Sequence, residues 1–129
     1  MIENIEQYYT QIADSMTETL PEDNWTTALF EATFYDDSIT YEAEYFSRSE
    51  QKARSFRPAD SGQDAFWDLR KAFKAAGKPL WGKAVFHLNA DGKFQMNWDY
   101  ENCDKDGNTL YDQKKEIQRV AARHKRLSS

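Results

Sequence analysis

The sequence predicts an α+β fold, an antiparallel sheet of two β-hairpins with helices packed on one face, in the order α-β-β-α-β-β-α. Two observations support this prediction. First, two pairs of segments alternate apolar and polar residues, and each pair is joined by a short stretch of turn-forming residues. Second, three other segments repeat apolar residues at helical spacing. Alternating strands leave one apolar sheet face to be covered, and amphipathic helices can cover it.

Length and composition predict one soluble domain spanning residues 1–129. The chain is 40% apolar and 15% aromatic, which is enough to build a core. No apolar run is as long as a membrane span or the core of a signal peptide. The lone Cys103 excludes an internal disulfide and fits a reducing cytosol, so we expect a cytoplasmic protein with no membrane contact.

The first helix is predicted over residues 3–19, followed by a hairpin over 25–34 and 38–46. The helix has an apolar stripe, and Pro21 ends it: Ile5, Tyr9, Ile12, Met16 and Leu20. A two-residue loop at Asp36-Asp37 pairs the two strands with all apolar residues on one face. The opposite face then brings Glu31 against Glu42, and Leu29 against Glu44. A like-charge pair is locally destabilising, and folding alone does not require it.

The middle of the chain is predicted to hold a short edge strand and a second helix. Residues 47–60 are polar and basic, with an edge strand at 53–56. The helix covers 61–77, with Ser61 as its N-cap and Gly77 as its C-cap. Its apolar stripe consists of Phe66, Leu69, Phe73 and Ala76.

The second hairpin, over residues 79–100, organises the rest of the fold. A three-residue loop from Ala90 to Gly92 is the only choice that places all apolar residues on one face. The resulting pairs are Leu88 with Phe94, Phe86 with Met96, and Ala84 with Trp98. The other face, with Lys83 across from Asp99 and His87 across from Gln95, is expected to be polar and exposed to solvent. The predicted core contains Phe30, Phe34, Tyr41, Phe86, Leu88, Phe94, Met96 and Trp98.

An acidic connection over 101–108 and a basic third helix over 109–127 complete the predicted elements. The charge of the chain is uneven, because eleven Asp and Glu residues precede Arg48, the first Lys or Arg. This half lacks the cations that phosphate contacts need, but it suits a basic protein partner. The candidate contact residues are carboxylates: Glu31, Asp36, Asp37, Glu42, Glu44, Asp99, Glu101, Asp104 and Asp106.

Motifs for catalysis or metal binding are not found. The sequence contains no nucleotide-binding glycine loop, no zinc-protease motif and no nucleophile elbow. The loop with Asn102, Asp104, Asp106 and Gly107 resembles the start of a calcium loop, but Gln113 stands where a bidentate carboxylate is needed. We therefore predict no enzymatic activity, no catalytic residues, no metal and no cofactor.

Several segments resemble the YezG-like (EsaG-type) immunity proteins of bacterial polymorphic toxin systems. The matching features are Leu20-Pro21 with Trp25, the 77–81 segment GKPLW, the strand at 86–88, and DGKF at 91–94 running into WDYE at 98–101. The resemblance covers residues 5–102. It implies an antitoxin that binds and neutralises a cognate toxin, often a nuclease, in the producing cell. It implies no catalytic residues, and we expect a monomer or weak homodimer.

Two other functions remain open from the sequence. One is a small-ligand-binding or enzymatic α+β domain, with a pocket between sheet and helices. The other is a nucleic-acid-binding module that uses the basic third helix. The leading expectation is that the protein binds its toxin and no nucleic acid.

Overall fold

A five-stranded antiparallel sheet with two helices forms the fold in the computed structural model, which describes residues 4–35, 38–101, 103 and 108. The elements are α1 (Ile5–Thr17), β1 (Trp25–Phe34), β2 (Ile39–Ser47), β3 (Lys52–Ser55), α2 (Asp60–Ala75), β4 (Lys83–Asn89) and β5 (Phe94–Asp99). The strand order is β3-β2-β1-β4-β5. The predicted α+β class and element order are confirmed, and the third helix predicted over 109–127 lies outside the described residues.

The first hairpin has the predicted register. Phe30 lies opposite Ala43, and Glu31 lies opposite Glu42. β1 also pairs with β4, which joins the two hairpins into one sheet. The predicted edge strand is present as β3, displaced by one residue. The alternation of apolar and polar residues therefore determines which side of β1 and β2 faces the helices.

The second hairpin also has the predicted register, with Leu88 opposite Phe94. Its loop runs between Asn89 and Lys93, where the Asn89 amide donates to the Lys93 carbonyl at 2.8 Å. Gly92 has a φ of 92°, which favours glycine. The predicted three-residue loop is thus the geometry that aligns the apolar residues of β4 and β5.

Both helices pack on the apolar side of the sheet. Tyr9 of α1 contacts Phe86 of β4, and Phe66 of α2 contacts Phe30 of β1 edge-on at 5.0 Å between ring centroids. The predicted N-cap at Ser61 is wrong, because α2 begins at Asp60 and Ala59 occupies the cap position without a side-chain hydrogen bond. None of the helices in the described ranges is long and apolar enough to cross a membrane.

The carboxyl end of α2 is closed by Gly77, as predicted. Gly77 has a φ of 69°. Its amide donates to the Lys74 carbonyl, and the Lys78 amide donates to the Phe73 carbonyl at 3.0 Å. These two bonds form a Schellman motif, which satisfies carbonyls that the helix leaves without intrahelical partners.

The core is built mainly from aromatic side chains between sheet and helices. Its largest fully buried members are Trp81, Phe30, Phe34, Phe66 and Phe86. Seven of the eight predicted core residues are confirmed as packed in or against this cluster, with Tyr41, Met96 and Trp98 only partly buried. The exception is Phe94, which contacts Tyr9 of α1 but is 49% exposed, because β5 lies at the edge of the sheet in the described part of the chain.

Candidate functional site

The polar side of the sheet collects acidic residues from three strands, β1, β2 and β5. Cross-strand pairing defines one row containing Thr40, Thr33, Lys83 and Asp99, and a second row containing Glu42, Glu31, Val85 and Asn97. We call this side of the sheet the polar face. The structure therefore brings Glu31, Glu42 and Glu44 of the first hairpin and Asp99 of the second onto one surface.

A lysine lies beside the like-charge pair of Glu31 and Glu42 on the polar face. Lys83 of β4 places its Nζ 3.2 Å from Oε1 of Glu31. Lys83 is buried, so the prediction that it faces solvent is wrong. The interpretation that folding makes no use of Glu31 also needs correction, because a buried ion pair joins β1 to β4 at this point.

The carboxylates of the first hairpin differ in their accessibility. Glu31 and Glu44 are each 6% exposed, whereas Glu42 is half-buried. A buried carboxylate can contribute to the electrostatic field of a surface without touching a partner. Among the three carboxylates of this hairpin that the structure describes, Glu42 is therefore the one that a partner can reach, and the expected solvent exposure of Glu31 and Glu44 is not observed.

The end of β5 presents a second acidic position. Asp99 is half-buried, and its Oδ1 accepts a hydrogen bond of 3.1 Å from the amide of Glu101, which is exposed. Tyr100 between them is 43% exposed, and its partial burial raises the pKa of the phenol. At neutral pH this corner thus carries a neutral phenol flanked by two carboxyl groups.

Four further predicted contact residues cannot be placed on this surface. Asp36, Asp37, Asp104 and Asp106 lie outside the described residues. Within the ranges that the structure describes, no three His, Cys, Asp or Glu side chains gather as a metal site would require.

A surface pocket beside α2 was not predicted from the sequence. Its volume is about 900 Å³, and it lies between α2 and the loop end of the first hairpin. We call it the Trp67 pocket; its described lining residues are Phe34, Tyr35, Ser38, Ile39, Trp67, Arg70, Lys71, Lys74, Ala75, Leu80 and Asn108. Trp67, Lys71 and Lys74 are exposed, so the pocket opens to solvent at the edge of the helix layer.

Aromatic and cationic groups are combined in the Trp67 pocket. The ring of Trp67 is nearly parallel to that of Phe34, with 6.4 Å between centroids and an interplanar angle of 16°. The guanidinium of Arg70 lies 4.2 Å from the centroid of Phe34, and Lys71 Nζ lies 5.8 Å from that of Trp67. The available sequence signal was a Trp in a predicted helix followed by cations three and four residues later, at Arg70 and Lys71, but it did not show where the strand residues would lie.

Comparison with known proteins identifies the family. The model of the family described as immunity protein YezG-like matches residues 55–119, just over half of the chain. The match includes α2 and the second hairpin but begins after the first hairpin. A search of curated proteins finds no match. By the extent of the family match, this chain belongs to the YezG-like immunity protein family.

Proposed function

We propose that this protein is an antitoxin that binds a cognate toxin of a polymorphic toxin system and neutralises it in the cytoplasm of the producing cell. Membership of an immunity protein family is the observation that carries this proposal. A nuclease is the toxin class that we propose first. The protein would act as one domain of 129 residues, by stoichiometric binding and without catalysis or a cofactor, as a monomer or weak homodimer.

An acidic surface is the proposed contact with the toxin. Its accessible members in the described chain are Glu42, Asp99 and Glu101. The predicted residues outside that part of the chain also belong to the proposed set: Asp36, Asp37, Asp104 and Asp106. Glu31 and Glu44 are buried, so we propose that they contribute to the electrostatic potential of the surface but do not contact the toxin directly. A basic toxin domain would associate faster because complementary charge steers the encounter.

The proposal is tested with the toxin domain that we expect to be encoded beside this gene. Expression of that domain alone in a bacterial host should stop growth, and co-expression of the full 129-residue protein should restore it. The two chains should also copurify in a fixed ratio. Growth arrest that persists although both chains are expressed and folded would refute the antitoxin function.

The proposed nuclease class has its own readout. Chromosomal DNA and total RNA, isolated after toxin expression, should be degraded without the antitoxin and intact with it. If growth is rescued but nucleic acids remain intact in the cells without antitoxin, the toxin belongs to another class and only that part of the proposal fails.

A further inference from the structure

The Trp67 pocket combines an apolar interior with a cationic rim on a protein whose net charge is −5. We propose that it is a second contact site for the toxin and takes an acidic peptide segment. An apolar side chain of that segment would enter the pocket, and its carboxylates would meet Lys71 and Lys74. This inference rests on the proposed function. It adds a second contact, in which the immunity protein carries the positive charge, to the contact through its acidic surface.

The exposed indole is the first argument for a protein partner. Trp67 leaves 46% of its surface in solvent, although it stacks on the buried ring of Phe34. The stacking holds the indole in place at the mouth of a pocket large enough for a side chain. Tryptophan in such positions supplies much of the affinity of protein interfaces, because its large surface is removed from water on binding.

The positive charge at the rim of the pocket favours a peptide segment with acidic side chains. Arg70, Lys71 and Lys74 all line the pocket, and none of its described lining residues is acidic. Asp68, which lies outside the lining, holds Lys71 Nζ at 3.3 Å in an exposed pair. An exposed pair of this kind is weak, so a carboxylate of the partner can compete for the ammonium group.

A buried hydroxyl adds a hydrogen-bonding group to the pocket. Ser38 Oγ lines it, is screened from solvent and makes no hydrogen bond within the described part of the chain. A buried polar atom without a partner costs free energy, which a hydrogen bond from a bound peptide would recover. Ser38 and Tyr35 also flank Asp36 and Asp37 in the sequence, so the pocket lies at the end of the hairpin that carries two of the proposed acidic contacts.

A peptide titration tests the pocket without the toxin. The probe is the capped peptide Glu-Asp-Phe-Asp-Glu, and its control is Lys-Lys-Phe-Lys-Lys; the readout is the indole N–H signal of Trp67 in ¹H–¹⁵N spectra of the full chain, assigned with Trp67→Phe. The acidic peptide should move this signal to saturation, and the basic peptide should not. Equal shifts with both peptides, no shift, or the same saturation with inorganic phosphate would overturn the proposal.

Neutralising selected cations shows whether the pocket itself, rather than the net charge of the protein, determines the binding of the acidic peptide. Lys71→Gln with Lys74→Gln should weaken binding of the acidic peptide about tenfold. Arg57→Gln with Lys93→Gln removes the same charge at exposed residues that do not line the pocket, and should change binding less than twofold. Equal weakening by both pairs would mean that only net charge is sensed, and would refute a built site.

The toxin then decides whether the site belongs to the immunity interface. The Lys71→Gln, Lys74→Gln variant should bind the toxin domain about tenfold more weakly than the wild-type protein, while the Arg57→Gln, Lys93→Gln variant should not. Unchanged toxin affinity in a variant that has lost peptide binding would refute this inference and leave the antitoxin function standing. Failure of the wild-type protein to rescue growth would instead refute the antitoxin function, whatever the peptide result.

Discussion

Lys83 Nζ lies 3.2 Å from Glu31 Oε1, and the two side chains are only 10% and 8% exposed. The pair connects β4 to β1 at the centre of the polar face, next to Glu42 on the neighbouring strand. The buried ammonium group of Lys83 thus offsets part of the electrostatic repulsion between the carboxylates of the acidic surface.

Replacement of Lys83 by Met should destabilise the fold. The change removes the cation beside the buried Glu31 carboxylate, and breaking a buried ion pair from one side costs about 3 kcal/mol in the free energy of unfolding. Urea denaturation followed by tryptophan fluorescence measures this cost. Adding Glu31→Gln to Lys83→Met should recover more than half of the loss, since no charge is then left without its cation. A single variant as stable as the wild-type protein would show that the pair does not contribute to stability.

Gly62 should tolerate no side chain, although it lies in a helix. A Cβ on Gly62 would lie 2.7 Å from Cε2 of Phe30 and would overlap Oγ of Ser15. Gly62→Ala should therefore lower the free energy of unfolding by about 1–3 kcal/mol, as overpacking does. An exposed helical glycine would show the opposite sign, with Ala favoured by roughly 1 kcal/mol.

Urea denaturation measures the effect of Gly62→Ala, and Ser15→Gly serves as the compensating change. This substitution removes the Oγ and Cβ atoms that a new methyl group would meet. In its background, Gly62→Ala should cost less than it does alone. Stabilisation by Gly62→Ala in the wild-type background would contradict the close packing of α2 on α1 and β1.

Phe86 and Phe94 share a sheet face but should differ in their contribution to stability. Phe86 is fully buried, and Phe94 is 49% exposed although the two rings stack at 5.3 Å. Phe86→Ala should cost about 3–5 kcal/mol from lost burial and a cavity. Phe94→Ala should cost roughly 1–2 kcal/mol, because about half of its surface is already in water. Guanidinium denaturation of both variants checks this difference, and equal costs would show that Phe94 is packed as tightly as Phe86.

Charge reversal of the accessible carboxylates should weaken toxin binding. Glu42→Lys with Glu101→Lys is expected to lower the affinity at least tenfold, about 1.4 kcal/mol, and to reduce its salt dependence. Glu44 is not a suitable position for this test, because an ammonium group at a buried site would disturb the fold. Titration calorimetry with the purified toxin domain at two salt concentrations measures both quantities.

The matched control for this reversal is Glu18→Lys with Glu22→Lys. Both residues are exposed and lie in the connection between α1 and β1, outside the strands that form the polar face, and the change in net charge is identical. The control pair should alter affinity by less than twofold at physiological salt. A similar loss in both pairs would assign the effect to net charge, and no loss in either would exclude the polar face as a contact.

The alternation of apolar and polar residues along the chain was sufficient to predict the strand pairing of both hairpins. Side chains alternate between the two faces of a strand, so a slip of one residue would expose every apolar side chain. This constraint fixed the pairs Glu31 with Glu42 and Phe86 with Met96. Helical spacing placed α1 and α2 to within about two residues, but it could not identify the cap of α2. The cap is Ala59, which has no capping side chain, and its amide instead donates to the Ser15 carbonyl of α1 at 2.9 Å.

The accessibility of the acidic residues, and the groups next to them, depend on how the strands and helices pack together and could not be predicted. The order of strands in the sheet sets β4 against β1, and this brings Lys83 to Glu31 from 52 residues further along the chain. The same assembly lays Trp67 of α2 over Phe34 of β1 and creates the Trp67 pocket. Local periodicity carries no information on such pairings, because they depend on how separate elements pack and which surfaces remain in water.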